Sequence, residues 1–199
     1  MSFDLNSNLN LESTRVIAIA ASNDGLEVLS PLIAGFGVRD FSRFSNVEDA
    51  KRQLEGQEFH IIFVDYHVDS GDGYDLIRWI RRSAMHENRT APVFFISSNF
   101  TSRALERARD AGASFAITKP VSPDVLLPRV LWVAGLDLTF VESEEFCGPD
   151  RRMRFEGPPA GTDGRRETDI HGELGEAASD NLDQDEIDAM LKTQRASAG

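Results

Sequence analysis

What the chain lacks narrows its function first. Among 199 residues there is one cysteine, Cys147, so no intrachain disulfide forms, and a reducing compartment is the expectation. Basic residues are few: 21 Lys and Arg stand against 33 Asp and Glu, a formal net charge of −12. Nonspecific attraction to nucleic acid or to an anionic membrane needs a basic face, so neither partner is expected. No apolar run approaches the roughly 20 residues of a bilayer-spanning helix. The opening MSFDLNSNLNLES carries no basic stretch followed by an apolar one, and a soluble, cytoplasmic protein is expected. The four histidines, His60, His67, His86 and His171, show no metal spacing. The segment Asp69-Ser70-Gly71-Asp72-Gly73 lacks the alternating ligands of a calcium loop. Neither a phosphate-cradling glycine loop nor a Ser/His/Asp or Cys/His nucleophile set occurs.

Apolar residues, 41% of the chain, suffice for a core but thin out after Leu138. The segment 139–199 holds 15 acidic and 7 basic residues, leaving −4 of the total −12 for the first 138. The reading that follows is a flexible N-terminus over 1–13, one domain over 14–138, a disordered acidic linker over 139–181, a short amphipathic helix over 182–192 and a disordered end over 193–199.

Within the domain, RVIAIAA (15–21) reads as a strand covered on both faces. Ser22-Asn23-Asp24 then offers capping side chains before a stripe of Leu26, Val28, Leu29, Leu32 and Ile33, a helix that Pro31 should kink and Gly35 and Gly37 end. Strands follow near 38–44, 59–64, 93–96 and 114–118. Helices follow near 47–55, 74–83 and 102–111, and a last one opens with Ser122 as cap and Pro123 in its first turn. Five strand-helix units imply an α/β fold, a doubly wound parallel sheet with right-handed crossovers. Function in such sheets sits at the carboxyl ends of the strands. Those ends carry Ala20 and Ala21, Asp65, Ser97 and Ser98, and Lys119 with Pro120. A carboxylate there can accept a phosphoryl group as a nucleophile, a lysine can pair with the new charge, and a serine hydroxyl can donate to it.

Asp65 with Gly73 eight positions on, Ser97 after PVFFI, and Ala111-Gly112-Ala113-Ser114 leading to Thr118-Lys119-Pro120 together resemble the receiver domain of two-component response regulators, the small chemotaxis regulators included. The resemblance spans about residues 14–136. It implies a flavodoxin-like fold of strand order 2-1-3-4-5, phosphorylation on Asp65 by a histidine kinase or other phosphodonor, phosphoryl sensing by Ser97 and Lys119, and a cis Lys119–Pro120 peptide. Magnesium would rest on Asp65, on the backbone carbonyl of His67 and on an acid pair at the end of the first strand. Ala20 and Ala21 stand where that pair belongs, so a weakened metal site is expected, with Asp24 and Asp69 as substitutes to weigh. Ala116 replaces the family's switch aromatic, and Phe115 lies on the opposite strand face.

Beyond the domain, GPDRR (148–152) and GTDGRR (161–166) approximate a repeat whose paired arginines suit an acidic surface, or simply balance charge. In LDQDEIDAML (182–191), Asp183 and Glu186 make a capping box, Leu182 and Ile187 a hydrophobic staple, and Ile187, Met190 and Leu191 an apolar stripe. A helix this short needs a groove. The segment resembles the N-terminal docking peptide of the flagellar switch protein FliM, which implies binding to another receiver or to its own. The expected function is thus a response regulator of a chemotaxis or motility pathway without a DNA-binding output. Two alternatives accompany it: a phosphorylation-independent adaptor, and a phosphatase acting on other receivers through Gln184 or Glu186.

Overall fold

Apolar runs of four or five residues, bounded by polar ones, give the strands, and stripes at helical spacing give the helices packed on them. The computed structural model describes residues 11–22, 27–69, 71–134, 140–143 and 146–149, together with the helical residues 184, 185 and 187. Five strands, β1 (Arg15–Ile19), β2 (Asp40–Phe44), β3 (Ile61–Asp65), β6 (Val93–Ser97) and β7 (Phe115–Thr118), pair in parallel in the order β2-β1-β3-β6-β7. This is the flavodoxin-like order 2-1-3-4-5. Between the strands run α1 (Leu29–Gly35), α2 (Val47–Gly56), α3 (Gly73–Ser83), a short α4 (His86–Thr90) and α5 (Ser102–Ala111), and α6 (Pro123–Ala134) follows β7.

Side chains alternate between the two sheet faces, and the core divides accordingly. Ile17, Ile62, Val64, Phe95 and Ala116 face Leu54, Ile77, Ile80 and Leu105 of α2, α3 and α5. Val16, Ala18, Phe63, Phe94, Phe115 and Ile117 face Leu29 and Ile33 of α1 and Leu126 and Val130 of α6. Phe63, Phe94 and Phe115 stack across three strands on this second face, with ring centroids 5.0 and 4.8 Å apart. Phe115 and Ala116 therefore do lie on opposite faces.

Four expectations change. Residues 11–13 belong to the fold: Leu11 is buried on the second face, and the Thr14 amide donates to its carbonyl. Pro31 falls in the first turn of α1 and Val28 just before it is a turn residue after helical Glu27, an interruption suited to the missing proline N–H. The acid-glycine loop after β3 forms a two-stranded hairpin, β4 (His67–Val68) and β5 (Gly71–Asp72). Within the segment expected as a linker from 139, β8 (Phe140–Glu142) and β9 (Cys147–Pro149) instead pair as a hairpin on the domain.

That second hairpin docks on Arg81, which is 1% exposed and has no acidic partner among the described residues. Its guanidinium donates to the carbonyls of Gly112 (2.9 Å), Arg89 (2.7 Å) and Ala91 (2.7 Å) and to Ser114 Oγ (3.2 Å). Cys147 Sγ donates back to the Arg81 carbonyl at 2.9 Å, and the Phe140 ring lies 5.1 Å from the guanidinium carbon. Gly112, the left-handed cap of α5 (φ 100°), must be glycine twice over: a Cβ there would stand 2.6 Å from the Cys147 carbonyl oxygen. Arg and Cys separated by sixty-six residues are not a pattern that periodicity can show.

Candidate functional site

Asp65 ends β3 and is 5% exposed, with its carboxylate held at both oxygens. Oδ1 accepts from the His67 backbone N–H at 3.0 Å, and Oδ2 pairs with Lys119 Nζ. Lys119 reaches across from the residue after β7, and its own N–H donates to the Ser97 carbonyl at 2.8 Å. The Lys119–Pro120 peptide is cis. Gly73 opens α3 directly against the strand end: a Cβ there would meet the Asp65 carbonyl oxygen at 2.4 Å and the Phe95 ring at 2.8 Å. The glycine eight residues after Asp65 is thus what lets α3 start beside the carboxylate.

Ser97 ends β6, one register step past the residue opposite Asp65. Its hydroxyl is turned to a local bend, donating to the Asn99 carbonyl at 3.1 Å and accepting from the Asn99 N–H at 3.3 Å. Asp65, Ser97 and Lys119 therefore lie at one edge of the sheet, while the direct side-chain link is between Asp65 and Lys119.

Among the described residues the donor set does not fit magnesium. Ala20 is buried and Ala21, exposed, supplies only backbone. The His67 carbonyl accepts the Ala21 N–H at 2.8 Å. Asp69 does not substitute for the missing acids, because its two oxygens accept from Asn46 Nδ2 (2.8 Å) and the Val47 N–H (2.9 Å) at the start of α2. Asp72 caps α3 through the Asp75 N–H and pairs with Arg107 at 3.1 Å. Both loop acids are helix-terminal anchors, the usual place for aspartate. Asp24 lies outside the described residues. Among the described residues no cluster of three or more His, Cys, Asp or Glu side chains is placed to hold a metal ion.

Behind the site an aromatic layer fixes α3 and α5. Tyr74 packs against Phe95 at 4.8 Å and Tyr66 at 5.6 Å, donates its hydroxyl to the Ala104 carbonyl at 3.1 Å, and carries the Arg107 guanidinium 4.3 Å above its ring. Burial pushes the Tyr74 phenol up from its ordinary value, with Arg107 opposing.

Gln184 and Ile187 meet the domain at β7, one of the two edge strands of the sheet. Gln184 Nε2 donates to the Ala116 carbonyl at 2.9 Å, and Gln184 Oε1 accepts the Thr118 N–H at 2.8 Å. One side-chain amide thus supplies the donor and the acceptor that one residue of a sixth strand would supply. Ile187, one helical turn on, is fully buried in the cluster that contains Ala116, Phe100 and Leu105. Of the docking residues expected, Ile187 is the one among the described residues, and it packs into the chain's own core, while Leu182, Asp183, Glu186, Met190 and Leu191 lie outside them. Gln184, one of the two candidates under the phosphatase alternative, is engaged with β7 in this arrangement. Its edge-capping use was not legible, since an amide amid acids looks like solvated surface. The paired arginines lie outside the described residues too.

The family model described as the response regulator receiver domain matches residues 12–131. The chain belongs to that family. Rice (Oryza sativa subsp. indica) two-component response regulator ORR3 is 32% identical over 85 residues, covering 41% of this chain and 63% of that protein. Response regulator protein PilR of Pseudomonas aeruginosa is 31% identical over 114 residues, 57% of this chain and 24% of that protein. The chain thus spans less than two thirds of either relative. Among solved structures, the chemotaxis response regulator CheY4 of Vibrio cholerae superimposes with a TM-score of 0.55 at 17% identity, covering 60% of this chain and 98% of that one. A two-component response regulator from Clostridium difficile gives 0.54 at 20% identity, covering 60% and 94%. At those identities the likeness is one of fold. The receiver-domain role in signal transduction is the function the family defines, and its receivers are generally noncatalytic signalling modules. No helix among the described residues is long and apolar enough to cross a membrane.

Proposed function

We propose that this chain is a response regulator whose phosphoacceptor is Asp65 and whose output is a protein contact at the β7 edge rather than a DNA-binding domain. The observation that carries the reading is the buried Asp65 carboxylate paired with Lys119 across the carboxyl ends of β3 and β7. In the transfer, an Asp65 oxygen attacks the phosphorus of a phosphohistidine or small acyl phosphate. The P–N or P–O bond breaks and the leaving group keeps the electron pair, the imidazole taking up a proton and the carboxylate departing as its anion. Lys119 neutralises charge on the transferring group, and Ser97 donates to a phosphoryl oxygen once its hydroxyl leaves Asn99. No step is assigned to magnesium. A cytoplasmic chemotaxis or motility pathway is the setting we favour, on the likeness of LDQDEIDAML to a flagellar-switch docking segment.

A second reading, a receiver that works unphosphorylated, draws on Ala20 and Ala21 and on the Ser97 hydroxyl being held by Asn99. Phosphate-affinity electrophoresis after incubation with a small acyl phosphate separates the two. A retarded band in wild type that is absent in Asp65→Ala supports the first, and no band in either leaves the second.

A further inference from the structure

The contact made by Gln184 ends one residue short of the Asp65 pair. Thr118, whose N–H Gln184 accepts, is followed directly by Lys119, whose ammonium holds Asp65. Lys119 is anchored on its other side by its N–H to Ser97. The tail and the carboxylate therefore pull on two adjacent residues at the end of one edge strand. That strand has a neighbouring strand on one side only, so its outer N–H and C=O groups are open to other partners.

We infer that the segment at Gln184 and Ile187 is a latch over the β7 edge, and that its hold is coupled to the charge at Asp65 through Lys119 and Thr118. The coupling rests on the phosphoacceptor reading for its physiological trigger. While Asp65 is a plain carboxylate, Lys119 is drawn inward, β7 is held straight, and Ala116 and Thr118 present the donor-acceptor pair that Gln184 matches. A phosphoryl group on Asp65 moves the anionic charge outward by the length of the new linkage. Lys119 follows it, the Thr118 N–H turns, and Gln184 loses one of its two bonds to β7. Ile187 then leaves the cluster around Ala116, and the edge is open to a partner helix of the same chemistry: a side-chain amide with an aliphatic residue one turn on. By linkage, whatever binds the open edge also favours the phosphorylated form by the same factor.

The test is hydrogen–deuterium exchange at the Thr118 amide of the full chain, in wild type, Gln184→Ala, Asp65→Asn and the double variant. Gln184→Ala is expected to speed Thr118 exchange roughly fivefold or more, the scale of one neutral hydrogen bond. Asp65→Asn is expected to speed it as well, and the double variant to be no faster than Gln184→Ala alone, since the latch is already open. Unchanged exchange in Gln184→Ala overturns the latch. A null effect of Asp65→Asn, or full additivity in the double variant, overturns the coupling. The Phe63 amide, interior to β3, reports global opening, and Lys119→Gln replaces Asp65→Asn if that variant does not fold. A parallel sample with a small acyl phosphate is read by intact mass. A phosphoryl mass gain with Thr118 unmoved overturns the coupling while Asp65 stays an acceptor. No mass gain removes the acceptor reading, and the variants still decide the latch.

Discussion

At the scale of single residues, the two members of the central pair are unequal, and stability should show it. The Asp65 side chain is 6% exposed and that of Lys119 32%. Removing the lysine strands a charge in the interior, whereas removing the aspartate leaves an ammonium that can turn to water. Urea denaturation should therefore find Lys119→Met less stable than wild type by about 2 kcal/mol, a buried-pair value discounted for the exposed partner. Asp65→Asn should cost clearly less. Gly73→Ala should cost roughly 2–3 kcal/mol through overpacking against the Asp65 carbonyl, and it should slow phosphorylation by displacing the carboxylate. With alanines at 20 and 21, the phosphorylation rate should respond little to magnesium. The pair Ala20→Asp with Ala21→Asp should introduce a magnesium dependence in the same rate assay, and its absence would show that the missing acids are not what limits metal use.

At the scale of elements, the order and type of the five strands and five of the helices were legible because both-face apolar runs and amphipathic stripes are local patterns. The β4–β5 hairpin, short α4 and the β8–β9 hairpin were not. Their two- to five-residue lengths leave no periodicity, and β9 is held by distant partners, Arg81 and Gly112. Arg81→Met should be destabilised by about 3–5 kcal/mol in urea, since it leaves three buried carbonyls without their donor. Burial lowers the Arg81 pKa to about 9, so the group is charged at neutral pH. Above about pH 9 the folded chain releases a proton that the unfolded chain still holds, and stability from this group rises with pH through that window. The gap between wild type and Arg81→Met should accordingly be flat from pH 6 to about 8 and widen above about 9.

For the whole molecule, the sheet, its edge strand and the returning tail form one chain of contacts from Asp65 to Ile187. Ile187→Asp should detach the tail and lower thermal stability, with the loss limited to the tail's own binding, so a much larger loss would show that the segment is part of the core. The Asp65, Ser97 and Lys119 set was readable because strand ends in a doubly wound sheet converge. The capping use of Asp69 and the grip of Gln184 were not, because each depends on a neighbour far along the chain, and the turned-away Ser97 hydroxyl was not, because a bend that closes on Asn99 leaves no periodic pattern. The most direct test of the phosphoacceptor assignment is borohydride reduction after exposure to a small acyl phosphate, followed by peptide mass spectrometry. Transfer to Asp65 predicts homoserine at position 65 in wild type, much reduced in Lys119→Met. Homoserine at another aspartate, or none at all, would contradict it.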